Sequence, residues 1–501
     1  MKRRSGVLLH PTSLPGDHGS GDLGEHARHF IDWLVSAGQS AWQMLPLGIA
    51  GLGNSPYMSQ SAFAGNPALV DLHELHRRGW LDASDVSPDP AFVAHRVDYG
   101  LVTPWRLQRL ERASQRFRST LSQQSLAEEF AAFRQRHAAW LEDHALFEAL
   151  SECYPGTTWN RWPHAIAQRD PQALAEARRA LALRIDHWCF VQWCFERQWQ
   201  IVREYARARG ISLIGDVPIF VALHSVDVWS QPHLFQLDAH GEPEAVAGVP
   251  PDYFSPTGQR WGNPLYRWEV HAREGFAWWV ERMRRALAQV DEVRIDHFRG
   301  FAAYWRVPND APDARTGEWV AGPGDGLFAA LQAALGSLPV IAEDLGLITP
   351  DVHALRHRFG LPGMAVLQFA WDGDTANPHL PHNHERTSVV YTGTHDNDTT
   401  LGWWQGLDEA TRQRVRDYFG GDAEAGRVLL RAAQSSVADT AILPMQDILA
   451  LGAGHRMNTP GLATGCWEWR FDWSQVGPEP AQCLSFWSRL YGRETTNRSM
   501  Q

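Results

Sequence analysis

The sequence predicts an α/β fold of the (β/α)8 TIM barrel type with helical and loop-rich subdomain insertions. Eight short apolar runs are nearly continuous, as expected for parallel strands that are covered on both faces. Helical patterns separate several of these runs, for example at 22–38 and 277–290. The length of 501 residues accommodates one large barrel with insertions. An open doubly wound sheet is the alternative, and eight strands fit it less well.

The predicted strands follow one another along the chain, with two long interruptions. In order, they are 5–11, 41–47, 211–220, 292–298, 338–345, 363–370, 388–396 and 439–447. We expect a single barrel domain over 1–501, with a mainly helical, Arg-rich insertion at 75–210. Residues 230–268 are rich in Pro, Gly and Trp and have little periodicity, which predicts a long loop insertion. Long loops in compact folds are usually functional, so we expect this one to lie over an active site.

The composition excludes several classes of function. The formal net charge is −11, the wrong sign for a protein that neutralises phosphates, so no nucleic-acid partner is expected. Lys2 is the single lysine among 46 basic residues. The chain therefore has no Walker lysine, no kinase-type strand lysine and no interior lysine for a Schiff base. We find no metal-ligand pattern and expect no cofactor.

The cysteines and the N-terminal segment predict a cytoplasmic protein. Five cysteines form no C-x-x-C pair, which is typical of neither a zinc site nor a disulfide framework. We expect them to be buried or inert thiols. The apolar run Val7–Leu9 is too short for a signal sequence, and no stretch approaches 18 apolar residues, so no membrane association is expected.

Acidic residues stand near the ends of four predicted strands: Asp216, Asp296, Glu343 and Asp396. Barrel enzymes place catalytic groups at the C-terminal ends of strands. A single acid at such a position is as readily an N-cap of the next helix. Four acids on one rim repel one another and raise one another's pKa, which is a cost that indicates a functional use.

The alternation of side chains in VRIDHF places Arg294 and Asp296 on one face of the strand. A guanidinium beside a carboxylate keeps it ionised, as a nucleophile requires. The chain also has 24 tryptophans, whose flat faces suit sugar rings as well as core packing. Paired carboxylates in such surroundings indicate glycosidic bond chemistry, in which one acid attacks the anomeric carbon and another protonates the leaving oxygen.

Several longer sequence motifs indicate one particular enzyme family. The blocks VRIDHFRG, IAEDLG and TGTHDNDT, in this order and at this spacing, resemble those of the 4-α-glucanotransferases, also called amylomaltases, of glycoside hydrolase family 77. This family is related to the α-amylase clan. The blocks LLHPTSLPG, GNSPYMSQSAFAGNP, PPDYFSPTGQRWGNPLYRW and RMNTPG agree with it. The resemblance covers nearly the whole chain.

The resemblance implies a role for each site residue. Asp296 would be the nucleophile that forms a covalent glucosyl intermediate, Glu343 the general acid and base, and Asp396 the third carboxylate, which holds sugar hydroxyls. The implied substrate contacts are Arg294 and His395 around the −1 sugar, Tyr57 stacked on it, and Asp216, Gln259, Trp261, Asp372 and Asn458. Without the resemblance, Tyr57 could be a turn aromatic and His395 a capping or core residue. Asp344 faces the opposite side of its strand and is expected to be structural.

The stretch from Ala247 to Trp268 is expected to shield the covalent intermediate. Water competes with a sugar acceptor, so transfer requires a shielded intermediate and a positioned acceptor. Four prolines limit the freedom of this stretch, and Tyr253, Phe254 and Trp261 can cover a sugar. The alternative is a rigid surface loop that braces the helical insertion.

The implied function is retaining transfer of α-1,4-glucan segments from a donor to the 4-hydroxyl of an acceptor. The expected partners are maltooligosaccharides and maltodextrin as donors and glucose as an acceptor, bound by a monomer or homodimer. A plain α-glucan hydrolase of the α-amylase clan is the first alternative. A catalytically dead glucan-binding protein is the second, and the three intact acids at 296, 343 and 396 argue against it.

Overall fold

All eight apolar runs form strands of one parallel sheet in the computed structural model, which describes residues 3–121, 123–251, 255–421 and 425–494. In chain order, the strands of the structure are β1 (Arg4–Leu8), β2 (Ala41–Gln43), β3 (Ser212–Pro218), β4 (Ala245–Val249), β5 (Gln259–Pro264), β6 (Glu292–Asp296), β7 (Ala303–Pro308), β8 (Glu318–Ala321), β9 (Val340–Ala342), β10 (Gly363–Val366), β11 (Ser388–Tyr391) and β12 (Thr440–Pro444). The strand order in the sheet is β10-β11-β12-β1-β2-β3-β6-β9.

The sheet closes into a barrel between its two outer strands. The amide of Ala342, the last residue of β9, donates to the carbonyl of Pro362, which precedes β10, at 2.9 Å. Val293 and Ile295 of β6 are fully buried. Arg294 and Asp296, which alternate with them, point to the other face and contact each other, as the period of two predicts. The predicted (β/α)8 barrel is confirmed.

Helices surround the barrel and fill the long connection between β2 and β3. In chain order, they are α1 (Glu25–Ser36), α2 (Leu72–Arg77), α3 (Tyr99–Thr120), α4 (Gln124–Arg136), α5 (Ala138–Cys153), α6 (His164–Ala167), α7 (Pro171–Ala180), α8 (Ala182–Ala208), α9 (Val226–Ser230), α10 (Trp268–Arg273), α11 (Ala277–Gln289), α12 (Gly324–Leu335), α13 (Pro350–Arg358), α14 (Thr400–Gly406), α15 (Glu409–Phe419), α16 (Ala425–Ser435), α17 (Met445–Ile448) and α18 (Pro478–Leu490). Helices α3 to α8 occupy most of the segment expected to be helical, and α8, with 27 residues, is the longest helix in the described part of the chain.

A second sheet of four antiparallel strands, in the order β5-β4-β7-β8, stands beside the barrel. Strands β4 and β5 fall within 230–268, so part of the segment predicted as a loop is β-structure. Both strands are short, and a β-bulge interrupts their pairing between Val246 and Gly248. The other partner of β4 is β7, which pairs Ala245 with Pro308 and Gly248 with Trp305, so a local pattern could not reveal this pairing.

The N-terminal end of the barrel is held by arginines. Arg4 of β1 pairs with Glu292 of β6 and donates to Thr440 of β12 at 3.1 Å. Arg493, which follows α18, is fully buried and donates to six backbone carbonyls, those of residues 4, 433, 434, 436, 438 and 439. These contacts tie the start of β1 to the segment between α16 and β12.

Two further findings concern the cysteines and the helices. All five cysteines are free thiols: Cys189, Cys194 and Cys466 are buried, Cys483 is half-buried, and Cys153 at the end of α5 is exposed. Among the described residues, no helix combines the length and the apolar character needed to cross a membrane.

Candidate active site

The C-terminal ends of β3 and β6 bring the first two acids together around one arginine. Strand pairing places Asp216 beside Arg294. The guanidinium of Arg294 donates to Asp216 Oδ2 at 2.7 Å and to Asp296 Oδ1 at 3.0 Å. Arg294 is only 3% exposed, whereas the side chain of Asp296 retains 28% of its surface. Arg294 is thus a buried support, and Asp296 is accessible to a ligand.

Glu343, the residue after β9, is held next to Asp296 by backbone amides. Its Oε2 accepts from the amide of His297 at 2.6 Å, and its Oε1 accepts from the amide of Leu345 at 3.0 Å. The backbone of His297 is left-handed, with φ of 53°, which is uncommon outside glycine. In this conformation the amide of His297, the residue that directly follows Asp296, donates to Glu343.

The two carboxyls titrate as a pair. Burial raises the pKa of Asp296 and that of Glu343, and repulsion from Glu343 raises the pKa of Asp296 further, while Arg294 acts in the opposite direction. The guanidinium of Arg294 donates to Asp296 directly and favours its ionised form, and two backbone amides favour the ionised form of Glu343. A pair that shares one proton offers a carboxylate and a carboxylic acid at once.

Asp396, in the loop after β11, is oriented by three neighbours. Asn458 Nδ2 donates to its Oδ1 at 2.6 Å, His395 Nε2 lies 3.3 Å from its Oδ2, and Arg456 donates to its backbone carbonyl at 2.8 Å. Burial lowers the pKa of His395, so its ring is neutral near pH 7. The side chain of Asp396 is 43% exposed and is free to bind hydroxyl groups.

Tyr57 contacts both Asp216 and His395, and so links the acids around Arg294 to Asp396 and its neighbours. Its hydroxyl donates to Asp216 Oδ2 at 2.7 Å, and its ring stacks on His395 with 5.1 Å between centroids and 15° between planes. Burial raises the pKa of Tyr57, so the hydroxyl remains a donor. The side chain of Asp216 has no exposed surface, so in this arrangement it contacts Tyr57 and Arg294 rather than a ligand.

The remaining predicted contacts differ in their placement. Trp261 donates to Gln259 at 3.1 Å and packs edge-to-face against His297 at 4.8 Å, which places both residues beside Asp296. Asp372 is exposed, and its oxygens accept from Asp374 and Asn377 of its own loop. No contact among the described residues joins Asp372 to the other acids. Tyr253 and Phe254 lie outside the described residues.

Three residues that sequence reasoning missed also shape the site. His297 holds Glu343, Arg456 holds Asp396, and Trp467 packs against both Tyr57 and His395 at 5.6 and 5.8 Å. The block RMNTPG contains Arg456 and was a usable signal, but a left-handed histidine has no local pattern. Asp344 accepts from the amide of Met364 and pairs with Arg356, as expected for a structural carboxylate. The described residues contain no group of three His, Cys, Asp or Glu that could hold a metal ion.

Known proteins resemble this chain over almost its entire length. A family model described as 4-alpha-glucanotransferase matches residues 9–475. The 4-alpha-glucanotransferase of Thermus thermophilus is 51% identical over 96% of this chain and 97% of its own length. The Synechocystis 4-alpha-glucanotransferase is 49% identical and covers 98% of both chains. The solved amylomaltase from Streptococcus agalactiae, in complex with acarbose, has a TM-score of 0.94 at 37% identity and covers 99% of this chain and 100% of its own.

Proposed function

This chain belongs to the 4-alpha-glucanotransferase family, glycoside hydrolase family 77, and on that premise we propose that Asp296, Glu343 and Asp396 carry out its reaction. The activity is 4-alpha-glucanotransferase, and its substrates are glucans. The observation that carries the assignment is the pairing of an accessible carboxylate, Asp296 on Arg294, with a second carboxyl, Glu343, held by the next amide of the same loop.

In the first half-reaction, Asp296 attacks the anomeric carbon of the donor while Glu343 gives its proton to the leaving glycosidic oxygen. The bond between Asp296 and the sugar forms as the glycosidic bond breaks, and the shortened glucan leaves with a free 4-hydroxyl. We assign the charge to Asp296, because the guanidinium of Arg294 donates to it directly, and the proton to Glu343, whose pKa burial raises.

In the second half-reaction, Glu343, now ionised, removes the proton of an acceptor 4-hydroxyl, and that oxygen displaces Asp296. Two inversions give overall retention of the α configuration. Both backbone donors of Glu343 stabilise its ionised form, so the same residue serves as acid and then as base. Retention predicts a separation of about 5–5.5 Å between the carboxyl groups of Asp296 and Glu343.

Asp396 and its neighbours bind the sugar that reacts. The exposed carboxylate of Asp396 accepts from hydroxyl groups, and Asn458 fixes its orientation. Tyr57 and His395 form a stacked pair beside it that offers flat surface to a sugar ring. Asp216 acts through Tyr57 and Arg294, and Gln259 and Trp261 lie on the side of the nucleophile.

The proposed donors are maltooligosaccharides and maltodextrin, and glucose is a proposed acceptor, which places the protein in maltodextrin and glycogen metabolism. The solved complex of the Streptococcus agalactiae amylomaltase with acarbose supports this choice of ligands. We assign residues 75–210 to a helical insertion and residues 230–268 to a cover over the site. The position of Trp261 beside His297 supports that cover. Five free thiols are typical of a cytoplasmic protein, which we propose as a monomer or homodimer.

Incubation with maltotriose followed by chromatography tests the proposal. Transfer yields free glucose and a ladder of longer maltodextrins while the number of reducing ends stays constant. Hydrolysis increases the number of reducing ends steadily. A steady increase without longer products would overturn the transfer reaction in favour of a hydrolase of the α-amylase clan.

A further inference from the structure

Trp319 differs from every other tryptophan of the chain in its exposure. All 24 tryptophans lie within the described residues, and 39% of Trp319 is exposed, whereas the others are buried or half-buried. Large aromatic side chains are ordinarily used to fill cores and contacts. An indole that the fold leaves open is therefore a candidate contact surface.

The ring of Trp319 is held in place from two directions. The guanidinium of Arg299 lies over it at 3.8 Å from the ring centroid, and Trp305, its direct partner in the pairing of β7 with β8, meets it edge-to-face at 5.1 Å. Trp305 is itself anchored by a bond of 2.8 Å from its indole nitrogen to the carbonyl of Ala314. Trp319 is therefore exposed but already held in one position. A ligand that binds it does not incur the entropy loss of immobilising this side chain.

The same arginine connects this ring to the loop of the proposed acid. Arg299 follows Asp296 by three residues, is 6% exposed, and donates to the carbonyl of Leu347 at 2.5 Å. Leu347 is 66% exposed and follows Glu343 by four residues. The Cα atoms of Leu347 and Glu343 are thus no more than about 14 Å apart. Arg299 thus contacts both the ring of Trp319 and the backbone of Leu347, and we call these two exposed apolar residues the rim platform.

The size of the rim platform indicates its ligand. A tryptophan buries about 150–250 Å² at most, so two side chains offer far less than the roughly 1,000 Å² of a stable protein interface. A flat indole and one leucine match the apolar faces of a few linked sugar rings instead. The substrate of this family is a glucan chain. Trp319 lies on β8, in the segment between β6 and β9, and Leu347 lies in the loop that follows β9.

We propose that the rim platform, Trp319 with Leu347, is a remote binding site for the glucan chain, beyond the sugars that contact the three carboxylates. The inference rests on the proposed function, since it assumes that the reacting sugar lies between Asp296 and Glu343. Arg299 is its positioning residue, because it fixes Trp319 and the Glu343 loop together. A long glucan reaches the rim platform while a short one does not, so the site favours long substrates.

Binding without turnover is the first test. Affinity electrophoresis in gels that contain soluble amylose compares D296N with D296N/W319A, because loss of the nucleophile stops the reaction. We expect the dissociation constant for amylose to rise about two- to tenfold on removal of the indole. D296N/F486A is the matched control, since Phe486 is 54% exposed on α18, which packs against α1 and α16. Equal retardation of D296N and D296N/W319A would overturn the proposal.

Kinetics with two donor lengths are the second test. The ratio of kcat/KM for short-chain amylose to kcat/KM for maltotriose should fall about two- to tenfold in W319A, and W319F should restore part of it. The F486A variant should keep the wild-type ratio. An equal loss of kcat/KM on both donors would mean that Trp319 only stabilises the catalytic loop. A change of oligomeric mass without a change in amylose binding would assign it to a protein contact, and either result overturns the proposal. Failure of the proposed function is separate, because it would show as turnover in D296N.

Discussion

The two ends of the barrel use charged residues in opposite ways. At the C-terminal end, Asp216 and Asp296 share the guanidinium of Arg294, Glu343 is held by two backbone amides, and burial raises the pKa of Asp296 and Glu343. At the N-terminal end, Arg493 directs its donors to six backbone carbonyls and Arg4 pairs with Glu292. The first arrangement is costly to fold and useful in chemistry, whereas the second satisfies its polar groups. Substitutions at the two ends should therefore have opposite consequences.

The largest expected effect is on activity, at the C-terminal end. D296N removes the proposed nucleophile, and transfer on maltotriose should fall by at least about 10⁴-fold. The melting temperature should change little, because the substitution also removes repulsion between Asp296 and Glu343. Initial rates and thermal unfolding of the same preparation measure both. Near-wild-type turnover in D296N would contradict the assigned mechanism.

The next effect is on stability, at the N-terminal end. R493A removes the arginine donor from six backbone carbonyls, of which that of Asp439 still accepts from the amide of Arg4, and the free energy of unfolding should fall by about 2–5 kcal/mol. Activity of the folded fraction at low temperature should be unchanged, because Arg493 lies at the opposite end from the acids. R489A is the matched control, since Arg489 is an exposed arginine of α18. Equal melting temperatures for R493A and R489A would show that the carbonyl contacts contribute little.

The pH dependence of stability also tests the difference between the two ends of the barrel. Raised pKa values mean that the folded protein holds a proton on the Asp296–Glu343 pair at pH values where the unfolded chain has released it. This contribution to stability is therefore most favourable at low pH and declines as pH rises from the ordinary carboxyl range through the raised values. D296N/E343Q should show a weaker decline of melting temperature with pH than the wild type.

The same titration shapes the rate. The kcat/KM profile on maltotriose should be bell-shaped, with an acidic limb from ionisation of Asp296 and a basic limb from loss of the proton on Glu343. Because the pKa of Glu343 is raised, the basic limb should lie above the ordinary range of a glutamate. Activity that continued to increase well above neutral pH would contradict the role of Glu343.

The smallest effect is expected for Y57F. The substitution removes the bond of 2.7 Å to Asp216 but keeps the ring that stacks on His395. Loss of one such hydrogen bond corresponds to a fall in kcat/KM of about two- to tenfold. Y57A also removes the ring and should be worse. Similar rates for Y57F and Y57A would show that the ring contributes nothing to binding.

The sequence revealed those features that have a local signature. All eight barrel strands were predictable because each is an uninterrupted apolar run, and the pairing of Arg294 with Asp296 followed from the alternation of side chains. The left-handed His297 had no such signature, because its conformation serves a contact with Glu343 that is distant in sequence. Strand β4 was missed for the same reason, since its partner β7 is remote, and the pairing of β5 with β4 is interrupted by a bulge. The full burial of Asp216 depends on packing by Tyr57, which the strand alone cannot show.

The anchoring of Arg493 has a consequence for synthesis of the chain. Strand β1 pairs with β2 nearby, but its other partner, β12, lies 436 residues away, and Arg493 reaches the carbonyl of Arg4 across 489 residues. The ribosome must therefore release almost the entire chain before β1 loses its free edge and the barrel can close. Exposed strand edges are templates for aggregation, so the nascent chain is vulnerable for nearly its whole translation.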